Sequence, residues 1–147
     1  MSANGFRIYK TSQKIEIKVD NLSIFVSPLS YHQKLELQGL MVKASQGDME
    51  AAMQAIVKAL KVSLKDISGV ITEDEQGNDI EYKLAFQDNE VSDECINDLL
   101  NMPCSNKIST ICTSLLAGVP DQILGPDGKP LEGVSIIKPK VATKPKK

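Results

Sequence analysis

SYHQKLELQGLMVKASQGDMEAAMQAIVKAL, residues Ser30 to Leu60, decides the fold class. Its first four residues fit a capping box: a hydroxyl at the N-cap position and Gln33 three residues on, each able to satisfy an orphan backbone donor of a helix start. Leu37, Leu40, Met41 and Ala44 follow at helical spacing. Gly47 then ends one helix and Asp48 caps the next. In the second, Met49, Ala52, Met53, Ile56, Val57 and Leu60 form an apolar stripe. The spacing predicts two helices joined by a short Gly-Asp break, an αα-hairpin.

Outward from this pair the period changes. On the N-terminal side, within an extended stretch from Phe6 to Val26, Ile15, Ile17 and Val19 alternate with Lys14, Glu16 and Lys18. Leu22, Ile24 and Val26 alternate again after Asp20-Asn21. Alternation of apolar and polar residues on both sides of a turn predicts a β-hairpin, and Pro28 ends it. On the C-terminal side Val62, Leu64 and Ile67 read as extended, leading through Gly69 to a strand centred on Ile71. A polar turn from Asp74 to Asp79 precedes Ile80, Tyr82, Leu84 and Phe86, which alternate as a second strand and close a central hairpin.

Ser92 is then a candidate N-cap, with Val91 and Ile96 at the positions of a hydrophobic staple and Asp93 and Glu94 at the positive end of the helix dipole. Asn101 and Pro103 stop that helix. Ser105 is expected to cap a last one carrying Ile108, Ile111, Cys112, Leu115 and Leu116, closed by Gly118 and Pro120. Gly125-Pro126-Asp127-Gly128 is a turn, and Val134, Ile136 and Ile137 read as a short strand. The remaining residues mix lysine and proline with no acid after Glu132. That end is expected to be a disordered basic tail.

The expected architecture is therefore α+β: a helix-dominated single domain with N-terminal and central β-hairpins. Residues 1–26 supply strands to the core domain, residues 27–120 form the helical core with its central hairpin, and residues 121–147 form an extension ending in the Lys/Pro tail. Hydrophobic residues make up 41% of the 147, enough for one core, and aromatics only 4%, so aliphatic side chains and Met must fill it.

Composition argues against several function classes. A net charge of −2 gives no global basic field for nucleic acid or membranes. No apolar run approaches the roughly 18 residues that span a bilayer, and Met-Ser-Ala-Asn-Gly at the start has no secretory pattern. The cytoplasm, that of a host cell if the protein is viral, is the expected location. Cys95, Cys104 and Cys112 are too widely spaced for a short metal or redox motif and read as free thiols. His32 is the lone histidine, in a first helical turn where an exposed imidazole is ordinary; a pairing with one of the thiols is the sharper alternative. The acids around Gly77 miss the ligand pattern of a calcium loop, and no phosphate-binding, zincin or serine-hydrolase motif occurs. The reading is non-enzymatic, with no metal or cofactor.

Two segments suggest binding instead. Lys138, Lys140, Lys144, Lys146 and Lys147 are candidates for salt-dependent contact with nucleic-acid phosphates, against the plainer role of a solubilising tail. The Met residues of the two long helices either fill the core or line a groove for a partner helix.

The order of elements resembles a known family. Val26-Ser27-Pro28-Leu29-Ser30-Tyr31 enters a helix carrying Leu35 and Leu37. The Gly47-Asp48 break precedes an Ala-rich helix, Gly77 sits in a D-x-x-G-N-D turn, and VSDECINDLLN from Val91 to Asn101 leads to a closing helix. Over residues 15–120 this is similar to the tail assembly chaperones of long-tailed bacteriophages. The resemblance implies a small cytoplasmic protein that holds the tape-measure protein soluble and helps tail-tube subunits polymerise around it. Its partners would be those two proteins, and a homo-oligomer is left open. Leu37, Leu40, Met41, Met53 and Ile56 are the candidate contacts in a groove between the first two helices. The long N-terminal strands and the Lys/Pro tail depart from the family and leave room for a structural protein of the tail or baseplate, found in the virion.

Overall fold

The computed structural model describes residues 8–120, 122–125 and 127–137. The lysine candidates Lys138 to Lys147 lie outside these residues. The chain folds as one α+β domain, its helices packed with small antiparallel sheets. Strands β1 (Ile15–Val19) and β2 (Leu22–Val26) pair across the Asp20-Asn21 turn, with Ile17 opposite Ile24. Asp20 takes the left-handed backbone there, at φ 55°, a conformation Asp tolerates better than most residues. The pleat sends Ile15, Ile17, Val19, Ile24 and Val26 into the core, while Glu16, Lys18 and Phe25 lie on the other face.

Helix α1 (Tyr31–Ser45) begins at the expected capping box. Gln33 N donates to Ser30 Oγ at 3.3 Å, and Ser30 N donates to Gln33 Oε1 at 2.8 Å. Ser30→Ala is expected to cost about 1 kcal/mol, read as a drop in the denaturation midpoint with an unchanged slope. Gly47, at φ 97°, turns the chain after Ser45, and Asp48 Oδ1 accepts from Ala51 N at 3.0 Å to start α2 (Met49–Ser63).

Strand β3 (Leu64–Ser68) follows α2 directly, so Val62, read above as extended, is the buried end of the helix. It joins β2 antiparallel, with a bulge between Phe25 and Val26. Two small hairpins come next: β4 (Ile71–Glu73) with β5 (Asp79–Glu81), then β6 (Phe86–Gln87) with β7 (Glu90–Val91). The strand expected from Ile80 to Phe86 is thus two strands with a break between them. Tyr82 N donates to Val70 O and Ser92 N to Ala85 O, so the two ends of this stretch follow different partners.

Helix α3 (Asp93–Leu100) has its Ser92 cap, with Cys95 N donating to Ser92 Oγ at 3.3 Å, and both staple residues, Val91 and Ile96, are buried. Helix α4 (Ser105–Ser114) corrects one expectation: Ser105 is its first residue, and Cys104, at the N-cap, supplies no side-chain cap. A backbone turn stands in, Ser105 N donating to Met102 O and Lys107 N to Cys104 O. A 3₁₀ turn (Leu115–Ala117) continues α4.

The short strand expected near the end, β8 (Val134–Ile137), pairs with β1 and completes a four-stranded sheet in the order β3-β2-β1-β8. The extension from residue 121 therefore contributes to the main sheet. Lys107 Nζ, 2.8 Å from Asp20 Oδ1, ties α4 to the β1–β2 turn, and Asp20 N donates to Gly133 O just before β8. One continuous core joins the sheet to α2, α3 and α4.

Candidate protein-binding groove

The two long helices do not bury the faces that their largest apolar residues mark out. Helix α2 packs against both α1 and α4 and turns Ala51, Ala55, Ala59 and Leu60 inward. Small side chains allow neighbouring backbones to come close, so the alanine line is buried and the methionine line is left outside. Met49 and Met53 are 79% and 55% exposed. Helix α1 buries only Leu37 fully.

A groove of about 480 Å³ opens beside the α1–α2 seam, lined by Leu40, Met53, Val57, Glu50, Lys58, Lys61 and Glu90, with Gln54 at its side. Its apolar floor comes from α1 and α2. Its rim alternates in charge. Lys58 Nζ stands 3.4 Å from Glu36 Oε1 on α1 and 3.4 Å from Glu90 Oε2 at β7, bridging three elements, and Lys61 pairs with Asp93 at the head of α3. Partly exposed pairs of this kind add little to stability. They hold the aliphatic stems of the lysines along the groove wall.

The structure separates the five contact residues expected from sequence. Leu40 and Met53 line the groove. Met41 is 39% exposed on α1 but outside the lining, and Ile56 is half-buried against the core. Leu37 has no exposed surface and belongs to the core; it is not a groove contact. Val57 lines the floor and was legible as part of the α2 stripe, whereas Glu90 comes from the sequence-distant strand β7 and had no local signal.

Chemistry-bearing side chains lie elsewhere. His32 stands exposed on α1 and meets Tyr31 edge-on, ring centroids 6.0 Å apart. Cys95 and Cys112 are buried on α3 and α4, and Cys104 is half-buried before α4. Burial, then the nearby Asp20 carboxylate, raise the Cys104 thiol above its ordinary value. Tyr82 Oη donates to Asp98 Oδ2 at 2.8 Å; burial, followed by its side-chain contacts with Cys95 and Asp98, pushes the phenol up. Among the described residues no group of three His, Cys, Asp or Glu side chains is placed to hold a metal ion, and no helix is long and apolar enough to cross a membrane.

No family model matches the chain, and no curated protein or solved structure does either. The groove's own geometry carries the functional argument.

Proposed function

We propose that this chain is a non-enzymatic assembly chaperone of a bacteriophage tail, which holds an amphipathic helix of a partner in the α1–α2 groove. The observation that carries the reading is that groove: an apolar floor of Leu40, Met53 and Val57 left open beside the helix pair, with Glu50, Lys58, Lys61 and Glu90 around it. A helix lying in such a groove buries anchors at i, i+3, i+4 and i+7. Its flanks meet a rim of both signs, which suits a partner helix that carries charges of both signs itself. The resemblance of the element order to the tail assembly chaperones supports the choice of partner: the tape-measure protein, with tail-tube subunits joining as it is coated.

The test is direct binding. Segments of the tape-measure protein made by the same phage are titrated with the purified chain, and aggregation of the longer protein is followed by light scattering. Saturable binding and suppressed scattering are expected, with the chain missing from purified mature particles. Stoichiometric presence in those particles would instead make it a structural protein of the tail or baseplate. DNA binding that disappears with salt and with truncation after Ile137 would assign the function to the lysine tail.

A further inference from the structure

Helix α1 carries a second apolar line, opposite the core. Tyr31, Leu35, Gly39 and Val42 recur at intervals of four, four and three residues, which sets them on one side of the helix. Leu37, Leu40 and Ala44 occupy the other side, toward the domain. Tyr31, Leu35 and Val42 are 72%, 48% and 50% exposed. At the centre stands Gly39, a residue that costs a helix interior about 1 kcal/mol relative to Ala. Apart from its chain neighbours and the backbone of its own helical turns, no described residue lies within 4 Å of the place its Cβ would take, so the domain's own packing does not require it. A second backbone crossing α1 there would.

From this we infer that a second copy of the chain docks on the outer face of α1, the two helices antiparallel about a two-fold axis near Gln38 and Gly39. The register is self-complementary. Leu35 of one copy meets Val42 of the other, and the glycines lie where the helices come closest. On one flank Glu36 comes alongside Lys43 of the second copy, and symmetry repeats the pair. Both side chains are exposed, and Glu36 meets Lys58 through one carboxylate oxygen in the single chain. In an antiparallel two-fold pair the same flanks face each other. The groove flank of α1, marked by Leu40 and Glu36, therefore lies on one side of the dimer in both copies, and the two grooves open together. One helix face per copy falls short of the ~800 Å² per partner of a standard interface, so the association is weak and follows concentration. The inference does not depend on what the groove binds.

Sedimentation equilibrium of the full chain tests it. The mass should rise from monomer toward dimer as concentration climbs to about 1 mM. The Leu35→Glu, Val42→Glu double variant should stay monomeric while melting as the wild type does, both side chains being on the surface. Glu36→Lys and Lys43→Glu should each weaken the dimer roughly tenfold, because two symmetric attractions become repulsions, and the combined swap should restore it. Gln38→Cys should give a disulfide-linked dimer on mild oxidation, which Gln54→Cys on the groove side and the wild type should not. A chain monomeric throughout, a dimer indifferent to the glutamates, or single reversals that the combined swap fails to rescue would each overturn the assignment. A monomer whose Leu35→Glu form loses a different helical partner would give the face to that partner and overturn it equally.

Discussion

Leu37→Ala is expected to lower the unfolding free energy by about 3 kcal/mol and the melting temperature by roughly 6–12 °C. Met53→Asp should cost under about 1 kcal/mol. The two residues lie on the two halves of one helical hairpin, and sequence alone places both in a groove. Leu37 is the one α1 side chain wholly enclosed, so its removal leaves a cavity that neighbouring elements cannot fill. Met53 is more than half exposed on the groove wall, where Asp stays hydrated in the free chain. In the complex the order reverses. A carboxylate at Met53 has to be stripped of water against an apolar partner face, and binding should fall at least about tenfold. Denaturant melts and partner titrations of the same two proteins separate the roles. Equal destabilisation by both changes would mean that Met53 is core. Unaltered binding by folded Met53→Asp would remove the groove from the proposed function.

What the residues disclosed in advance depends on the range of the interactions concerned. The starts of α1, α2 and α3 were readable because Ser30 with Gln33, Asp48 with Ala51 and Ser92 with Cys95 are contacts three residues apart. The β1–β2 hairpin was readable because one buried face imposes alternation on both strands. The start of α4 was not, because there a backbone turn from Met102 replaces the serine cap. Alternation from Ile80 to Phe86 was real but did not show that Ile80 pairs with Thr72 while Phe86 pairs with Val91, so that no single neighbour runs the whole length. Which side of α2 is buried was left open for a related reason. Side-chain size favours the methionine line, whereas the helices on either side select the alanine line by letting backbones approach. The groove follows from that choice. Its floor consists of large residues that the close-packed alanines keep outside, and its rim residue Glu90 arrives through tertiary pairing that no local pattern encodes.

Alkaline conditions should destabilise the domain through one buried thiol. Cys112 has no exposed surface, and burial pushes it from an ordinary value of 9.0 up to about 12, the Ser63 hydroxyl moderating the rise. In the unfolded chain the thiol ionises from about pH 9, whereas in the folded chain it keeps its proton. The unfolded state therefore binds fewer protons than the native state across pH 9 to 12. This contribution to stability is complete below that window and declines by about 1.4 kcal/mol for each pH unit within it. The other ionisable groups are common to the wild type and to Cys112→Ala. Chemical denaturation of the two proteins at pH 8, 9, 10 and 11 isolates the difference. The variant should be the less stable at pH 8, having lost buried packing, and its stability should fall less steeply above pH 9, so that the two curves converge. Parallel curves would mean that the thiol ionises as readily inside the fold as outside it, which would require water at a site that the α4 core otherwise closes.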